Sequence, residues 1–598
     1  MTSCLDEDPK YTMDQEVVFN SAESAKQALD ACYGYLTPTE GFGQGVYEVS
    51  VGGSGLSWAQ TNASEADFYA SLNVYVSGDA LLWAWRGLYK AVQESNAFIA
   101  NMNASPLSTE IKQNYTGQAA FVRGLAYYYL SMMWGGVPLT LEPASSDAVA
   151  TSKADFSTVA SAIIVDWTYA YNNIPDAQQH EDGYIDKKGV AAYLAKIYWM
   201  LSCNPDLAGD KAYNLGQAKY WGDLVMGKWS LQPKYSDLFV NHVNGSPESI
   251  FQLNYSTSSD YSYNRLNWIF AADNCSNGVA YQRVRATKWF HDLFYGKSLK
   301  DGGTDIDPRY YSTFLTRWAN AKDATYDGYV RDSVFTYPHM SYSPNPRVDN
   351  SVGTIHYGDL ADPTNPSLEE LQKTPERYGY KTQANPGVEP KPIDMYGRFA
   401  DGVGDHQGWP LWKKQIDFNC ASQHSNNNII LYRYADFLLM MADVYNELGD
   451  AGTARGYVNQ VLLRARQSAT NGYSSQPADL PDNLSGTELR ERIFWERLYE
   501  LAGEADTYIE VRRRGIESLR WVLAKGNQHA ITKQHSEGQN QLDNPTQRFR
   551  DRYFGADGTF YGSVDDDNFL KKNLLLPIPL DELTSNEALS SADQNFGY

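Results

Sequence analysis

The stretch Leu448-Gly449-Asp450-Ala451-Gly452-Thr453-Ala454 lies between two apolar helical runs, Ile429–Glu447 and Arg455–Arg466. Glycine is the usual residue just past a helix end, so Leu-Gly-Asp closes the first run. Ala454 then falls where a large side chain would hold two antiparallel helices apart. Ala442, Tyr445, Tyr457, Val458 and Leu462 fill the facing sides. A hairpin of this kind buries its apolar faces only by stacking on further hairpins. Such stacks usually bind things rather than transform them.

Similar runs occur upstream. Ser21–Leu36 reads as a helix that Ser21 can cap, with Ala25, Ala28, Leu29, Cys32 and Leu36 on one stripe. Further helices are expected at Ala80–Met102, Glu110–Met133, Phe156–Asn172, Lys188–Ser202 and Tyr213–Met226. Paired in order they give 21–36 with 80–102, 110–133 with 156–172, 188–202 with 213–226, and 429–448 with 451–466. This is the tetratricopeptide pattern. The expected fold is mostly α: four tetratricopeptide-like helix pairs in a right-handed superhelical scaffold, with large loop-rich insertions carrying short strands.

Thr37–Ser77 is rich in Gly, Ser and Asn with scattered aromatics and reads as a long loop. Loops beyond about 15 residues are usually functional or disordered, and the aromatics argue against disorder. From about 228 to 428 periodicity is lost and Pro, Gly, Asn, Tyr and Asp dominate. We read a loop-rich insertion there, with a strand-like piece at Ser249–Asn254 and a short helix at Ala286–Phe294. Gly486–Arg514 reads as one strong helix. The division is then a tether over 1–20 and a single domain over 21–598. Within that domain the scaffold covers 21–227 and 429–515, the insertion 228–428, and a loop-rich C-terminal part 516–598.

A net charge of −22 repels nucleic acid and anionic headgroups, and is compatible with a neutral ligand. No run of 18 apolar residues occurs. Cys4, Cys32, Cys203, Cys275 and Cys420 show no CxxC spacing, so a zinc site is not expected. Cys32 and Cys203 fall in helical runs and read as small buried hydrophobes. No cofactor is expected; a structural Ca²⁺ is left open. Asp565-Asp566-Asp567 reads as a solvated turn, a cation site being the alternative. No GxSxG, HExxH, P-loop or GxGxxG occurs in a useful setting, and His291, His339, His356, His406 and His424 are scattered through loop-rich regions. An all-α glycoside hydrolase would need two carboxylates facing each other across a cleft, and no pair stands out. No catalytic residue is assigned.

With these elements in place, the chain resembles the SusD/RagB family of surface-exposed nutrient-binding lipoproteins of Bacteroidetes. The resemblance rests on Trp85-x-x-Leu88-Tyr89 followed by Asn96, and on Ala119–Leu130 ending in Gly135-Gly136-Val137-Pro138-Leu139. Asp305-x-Asp307-Pro308-Arg309, Leu431–Met440, Glu496-Arg497 through Arg512-Arg513, Leu576-Pro577-Ile578-Pro579 and the terminal Gln594–Tyr598 carry it further. One departure is Glu504-Ala505-Asp506-Thr507 where the family usually has Glu-Gly-x-Arg. The absent Arg implies altered packing of a buried charge network. Gly124, where Ala is common, reads as a minor change.

The resemblance implies a carbohydrate-binding lipoprotein on the outer membrane's extracellular face, held to the membrane only through lipid on Cys4. Met1-Thr2-Ser3-Cys4 is similar to the tail of a lipobox, without the apolar segment that precedes one, so the sequence reads as processed or truncated. The implied partner is a SusC-like TonB-dependent transporter, receiving oligo- or polysaccharide captured by this chain. A peptide-capturing relative is the alternative, an all-α glycoside hydrolase the remote one.

Sugars offer apolar C–H faces and rings of hydroxyls, so a binding site pairs aromatic platforms with polar rim groups. The resemblance puts the site on loops of the N-terminal half and the mid-chain insertion. Candidates in the first loop are Trp58, Asp67, Tyr69, Tyr75 and Trp83, with Phe68 beside them; in the insertion they are Tyr263, Trp268 and Tyr281, beside Tyr261, Asn264, Arg265 and Asn267. Two first-loop residues and one insertion residue are expected to form the platform. Trp85, Tyr89 and Trp289 read as core.

Overall fold

The computed structural model describes residues 18–59, 69–70, 72–143, 150–176, 183–204, 209–239, 245–255, 263–271, 283–287, 289–291, 293–294, 307–315, 317–319, 334–336, 340–342, 411–417, 420, 423–469, 474–536 and 564–598. The fold is mostly helical. Helices α1 (Ala22–Gly34), α2 (Gly45–Gly52), α3 (Asp79–Ala104), α4 (Thr109–Trp134), α5 (Phe156–Asn173), α6 (Lys187–Cys203) and α7 (Lys211–Val225) come first. They are followed by α8 (Tyr434–Glu447), α9 (Ala451–Gln467), α10 (Gly486–Leu501), α11 (Thr507–Arg512) and α12 (Ile516–Ser536). Several starts follow one device. The side chains of Ser21, Ser108, Asp155, Asp186, Asp210 and Asp450 each accept a hydrogen bond from the first turn of the helix they precede.

All four expected pairs pack together: α1 with α3, α4 with α5, α6 with α7, and α8 with α9. Successive pairs then stack, α3 on α4, α5 on α6, α7 on α8, and α8 on α10. Gly449 adopts a positive φ of 88° after α8, and Asp450 caps α9. Ala454 is wholly buried. The buried inner helices α4, α6 and α8 form the central core, lined by Phe121, Trp167, Tyr193, Phe251 and Tyr432 in edge and tilted ring contacts.

Several local expectations are corrected. Residues 45–52, read as loop, form α2, every residue of which is buried. The run from Ile429 begins as a strand, Ile429–Arg433, paired antiparallel with Ser249–Leu253, and turns helical only at Tyr434. The single helix expected at Gly486–Arg514 is two, broken around Gly503 at φ 85°. The part after 516, read as loop-rich, opens with α12. The helix expected from Ala286 starts later, because Val284–Ala286 is a strand between Ser57–Ala59 and Leu411–Trp412. Asp566 caps a helix at Asp567–Lys572 and Asp567 pairs with Arg520, so this acidic run is a helix start.

Gly124 is more than a minor change. A Cβ there would lie 2.5 Å from Trp167 Nε1 and 2.8 Å from its Cδ1. Trp167 is fully buried and its Nε1 donates to the Phe121 carbonyl at 3.2 Å, so the ring has little room to move. Gly124→Ala is expected to lower stability by about 1–3 kcal/mol through overpacking, read as a reduced midpoint in chemical denaturation. An unchanged midpoint would mean that α4 and α5 separate freely.

The motifs that carry the family resemblance meet in the interior as ion pairs. Arg433 uses all three guanidinium nitrogens: Nη1 reaches Glu248 at 2.8 Å and Glu500 at 2.6 Å, Nη2 and Nε reach Glu504 at 2.9 Å. Arg464 joins Glu248 at 2.7 Å and also Glu500. Arg309 pairs with Asp307 at 2.7 Å, Glu500 at 2.8 Å, and Glu496. A second group links Lys196 to Asp436 at 2.8 Å and Asp506 at 2.6 Å, Arg497 to Asp436 and Glu510, and Arg513 and Arg514 to Asp443. The cation facing Asp506 is therefore Lys196 of α6, while Thr507 closes the turn through its hydroxyl on the Glu504 carbonyl at 2.6 Å.

Candidate functional site

Three stretches distant in sequence are tied together on one face. The Asn264 and Ser425 backbones exchange two hydrogen bonds of 2.8 Å, and Asn264 Nδ2 donates to the Asn427 carbonyl at 2.9 Å. Arg265 N–H donates to the Gly43 carbonyl at 2.8 Å. Tyr255 O–H donates to the Thr37 carbonyl at 2.9 Å, and Tyr255 N–H to Asn428 Oδ1 at 2.8 Å. Asn267 is fully buried and its Oδ1 accepts from Asp417 N–H at 3.0 Å. Segment 263–268 is thus fixed by backbone and buried amide bonds, while its aromatic side chains Tyr263 and Trp268 stay partly exposed.

Two of those rings are half-buried. Tyr263 stacks on His424 with ring centroids 3.5 Å apart and planes 17° from parallel. Trp268, on the short helix Leu266–Phe270, has the Arg283 guanidinium 4.0 Å from its ring centroid and that of Arg265 at 5.5 Å. Arg283 is itself held by Glu48 at 3.3 Å. Glu48 is wholly buried in α2, and its second oxygen accepts from Gln44 Nε2 at 3.0 Å.

Among the remaining candidates, Trp83 is half-buried on α3, with its Cβ against Gly45 at the start of α2. Helix α2 therefore meets Trp83 at its start and, through Glu48 and Arg283, connects to the Trp268 group. Tyr75 is half-buried as well. Tyr69 is a correction: it is 2% exposed, packed against Gly52 and Gly78, and belongs to the core rather than a platform. Trp58 lies in the strand Ser57–Ala59 opposite Arg285. Cys4, Asp67, Phe68, Tyr261 and Tyr281 lie outside the described residues.

Trp85 and Trp289 are buried. Trp85 packs edge-on against Trp134 with centroids 5.4 Å apart, and Tyr89 donates its hydroxyl to the Pro138 carbonyl at 2.7 Å. Sequence reasoning missed His424 and Arg283. A polar cluster, His424-Ser425-Asn426-Asn427-Asn428, marked the first; nothing marked the second.

Among the described residues no group of His, Cys, Asp or Glu is placed to hold a metal ion, and no helix is long and apolar enough to cross a membrane.

A sequence model described as SusD family matches residues 247–598, and one described as starch-binding associating with outer membrane matches residues 5–199. SusD-like protein P25 of Formosa agariphila is 23% identical, covering 99% of this chain and 96% of that one. A SusD homolog of Bacteroides thetaiotaomicron superposes with a TM-score of 0.69 at 18% identity, over 98% of both chains. Surface glycan-binding protein A of the same organism, solved in complex with laminarihexaose, superposes with a TM-score of 0.59 at 15% identity, over 96% of this chain and 99% of that one. With the family model spanning more than half its length, this chain belongs to the SusD family.

Proposed function

We propose that this chain is a non-catalytic glycan-binding protein of the cell surface. In this reading it captures oligo- or polysaccharide and hands it to a SusC-like TonB-dependent transporter. Lipid on Cys4 anchors it at the extracellular face of the outer membrane. The observation that carries the reading is the pair of half-open aromatic groups, Tyr263 on His424 and Trp268 beside Arg265, on a segment fixed to two distant loops. Pre-set rings lose little entropy on binding and offer an apolar shelf to a sugar's C–H face. The likeness to a laminarin-binding SusD-like protein and to a surface glycan-binding protein solved with laminarihexaose supports a saccharide over a peptide.

Isothermal titration with laminarihexaose, an oligogalacturonide and a sulfated galactan oligosaccharide tests it. Trp268→Ala and Tyr263→Ala should each weaken the best ligand by about 1.5–3 kcal/mol, the value of one buried aromatic, or roughly ten- to hundredfold in Kd. Wild-type affinity in both variants, or heat from hydrolysis of any of the three sugars, would reject the proposal.

A further inference from the structure

The Trp268 group is unusual in charge. Two guanidinium groups flank one indole, in a protein of net charge −22. Arg283 is matched by the buried carboxylate of Glu48. Arg265 has no such match among the described residues. Among the described residues no carboxylate pairs with it, and its Nε is enclosed without a hydrogen-bond partner. The residues around it, Tyr263-Asn264-Arg265-Leu266-Asn267-Trp268, include no acid. Asn264 and Asn267 are spent on backbone partners, so neither is spare to satisfy the guanidinium.

A neutral sugar laid on Trp268 would take water from the Arg265 guanidinium and return no charge, and removing solvent from an uncompensated cation is costly. An anionic sugar reverses that balance. The planar fork of arginine matches the paired oxygens of a carboxylate or sulfate, and such charge-assisted hydrogen bonds are roughly twice as strong as neutral ones. The overall negative charge does not oppose this at close range, because salt screens it beyond about 8 Å under physiological conditions while a contact pair persists.

Building on the glycan-binding reading, we propose that the Trp268 surface selects an acidic sugar, a uronate or a sulfate ester, whose ring lies on the indole and whose anionic group is held by Arg265. Asn264 and Asn267 fix the segment, Trp268 supplies the stacking area, and Glu48 keeps Arg283 in place on the ring.

The same three oligosaccharides, matched in length, separate the possibilities. The oligogalacturonide or the sulfated galactan should bind at least about tenfold more tightly than laminarihexaose, and which of the two does so identifies the anion. Arg265→Gln should reduce that preference about tenfold, the loss of one charge-assisted contact, and Arg265→Lys should restore part of it. Raising salt should weaken the anionic ligand more than the neutral one in the wild-type protein. Laminarihexaose binding as tightly as both anions overturns the assignment. So does a preference that survives Arg265→Gln while Trp268→Ala abolishes binding, an outcome that leaves the glycan-binding reading intact. No binding of any sugar by the wild-type chain overturns both.

Discussion

Arg433→Met should cost about 3–5 kcal/mol of stability, the usual consequence of removing one partner from a buried ion pair. The guanidinium lies at 1% side-chain exposure and is shared by Glu248, Glu500 and Glu504. Methionine fills much of the volume, so the loss reports charge rather than a cavity. Glu248 and Glu500 would keep Arg464, and Glu500 would also keep Arg309. Glu504 would be left with Lys414, whose own ammonium is lowered to about 8 by burial. The control is Arg86→Met. Its partner is Asp581 at 2.8 Å, with both side chains at least half exposed, and such pairs contribute about 0–1 kcal/mol. Urea unfolding of the two variants and the wild type checks the pair of expectations. Similar midpoints for both variants would mean that the interior network adds no more than a surface contact.

This network also shows where the sequence was readable and where it was not. Glu496, Arg497, Asp307, Arg309, Arg433 and Asp436 stood out as motif residues, yet spacing along the chain did not reveal what they touch. Their partners come from segments as far apart as Lys196 and Glu510. The Leu-Gly-Asp turn, by contrast, is a local device, and Gly449, Asp450 and Ala454 do what their chemistry dictates. Helix pairs separated by clear stripes were placed within a few residues for the same reason.

Elements without a stripe were missed. Helix α2 is buried all round, so Gly-Val-Tyr-Glu-Val-Ser-Val-Gly carries no amphipathic period. The strand Ile429–Arg433 merges into the apolar run of α8, and only its pairing with Ser249–Leu253 separates the two. At the candidate site, Tyr263 and Trp268 were visible as aromatics in a polar stretch. Tyr69 looked the same in sequence, but Gly52 and Gly78 leave room for its ring in the core. The positions of His424 and Arg283 beside Tyr263 and Trp268 depend on chain crossings that no local pattern encodes.

Acid should unfold this protein by dismantling the same interior. Burial disfavours the charge of Asp436, but Lys196 and Arg497 outweigh it and hold the carboxyl at about 2. Burial likewise opposes Asp443, and Arg514, Arg513 and the Trp199 indole hold it at about 2. Glu447, Glu496, Glu500 and Glu510 are also held below the ordinary range, in each case by arginines that overcome burial. Asp166 and Asp506 work the other way, raised by burial despite Arg123 and Lys196. The sign follows from the majority. An acid depressed in the folded state adds stability above its unfolded value near 4, and loses it as pH falls through the folded value. Asp436 and Asp443 together account for about 5 kcal/mol near neutral pH. Stability measured by urea unfolding should therefore be flat in these groups above about pH 5 and drop steeply between about pH 4 and 2. Lys196→Met, which lets Asp436 and Asp506 take protons more easily in the folded state, should lower stability near neutral pH and make that drop shallower. A profile flat down to about pH 2 would mean that these carboxyls are as easily charged in the unfolded chain as in the core.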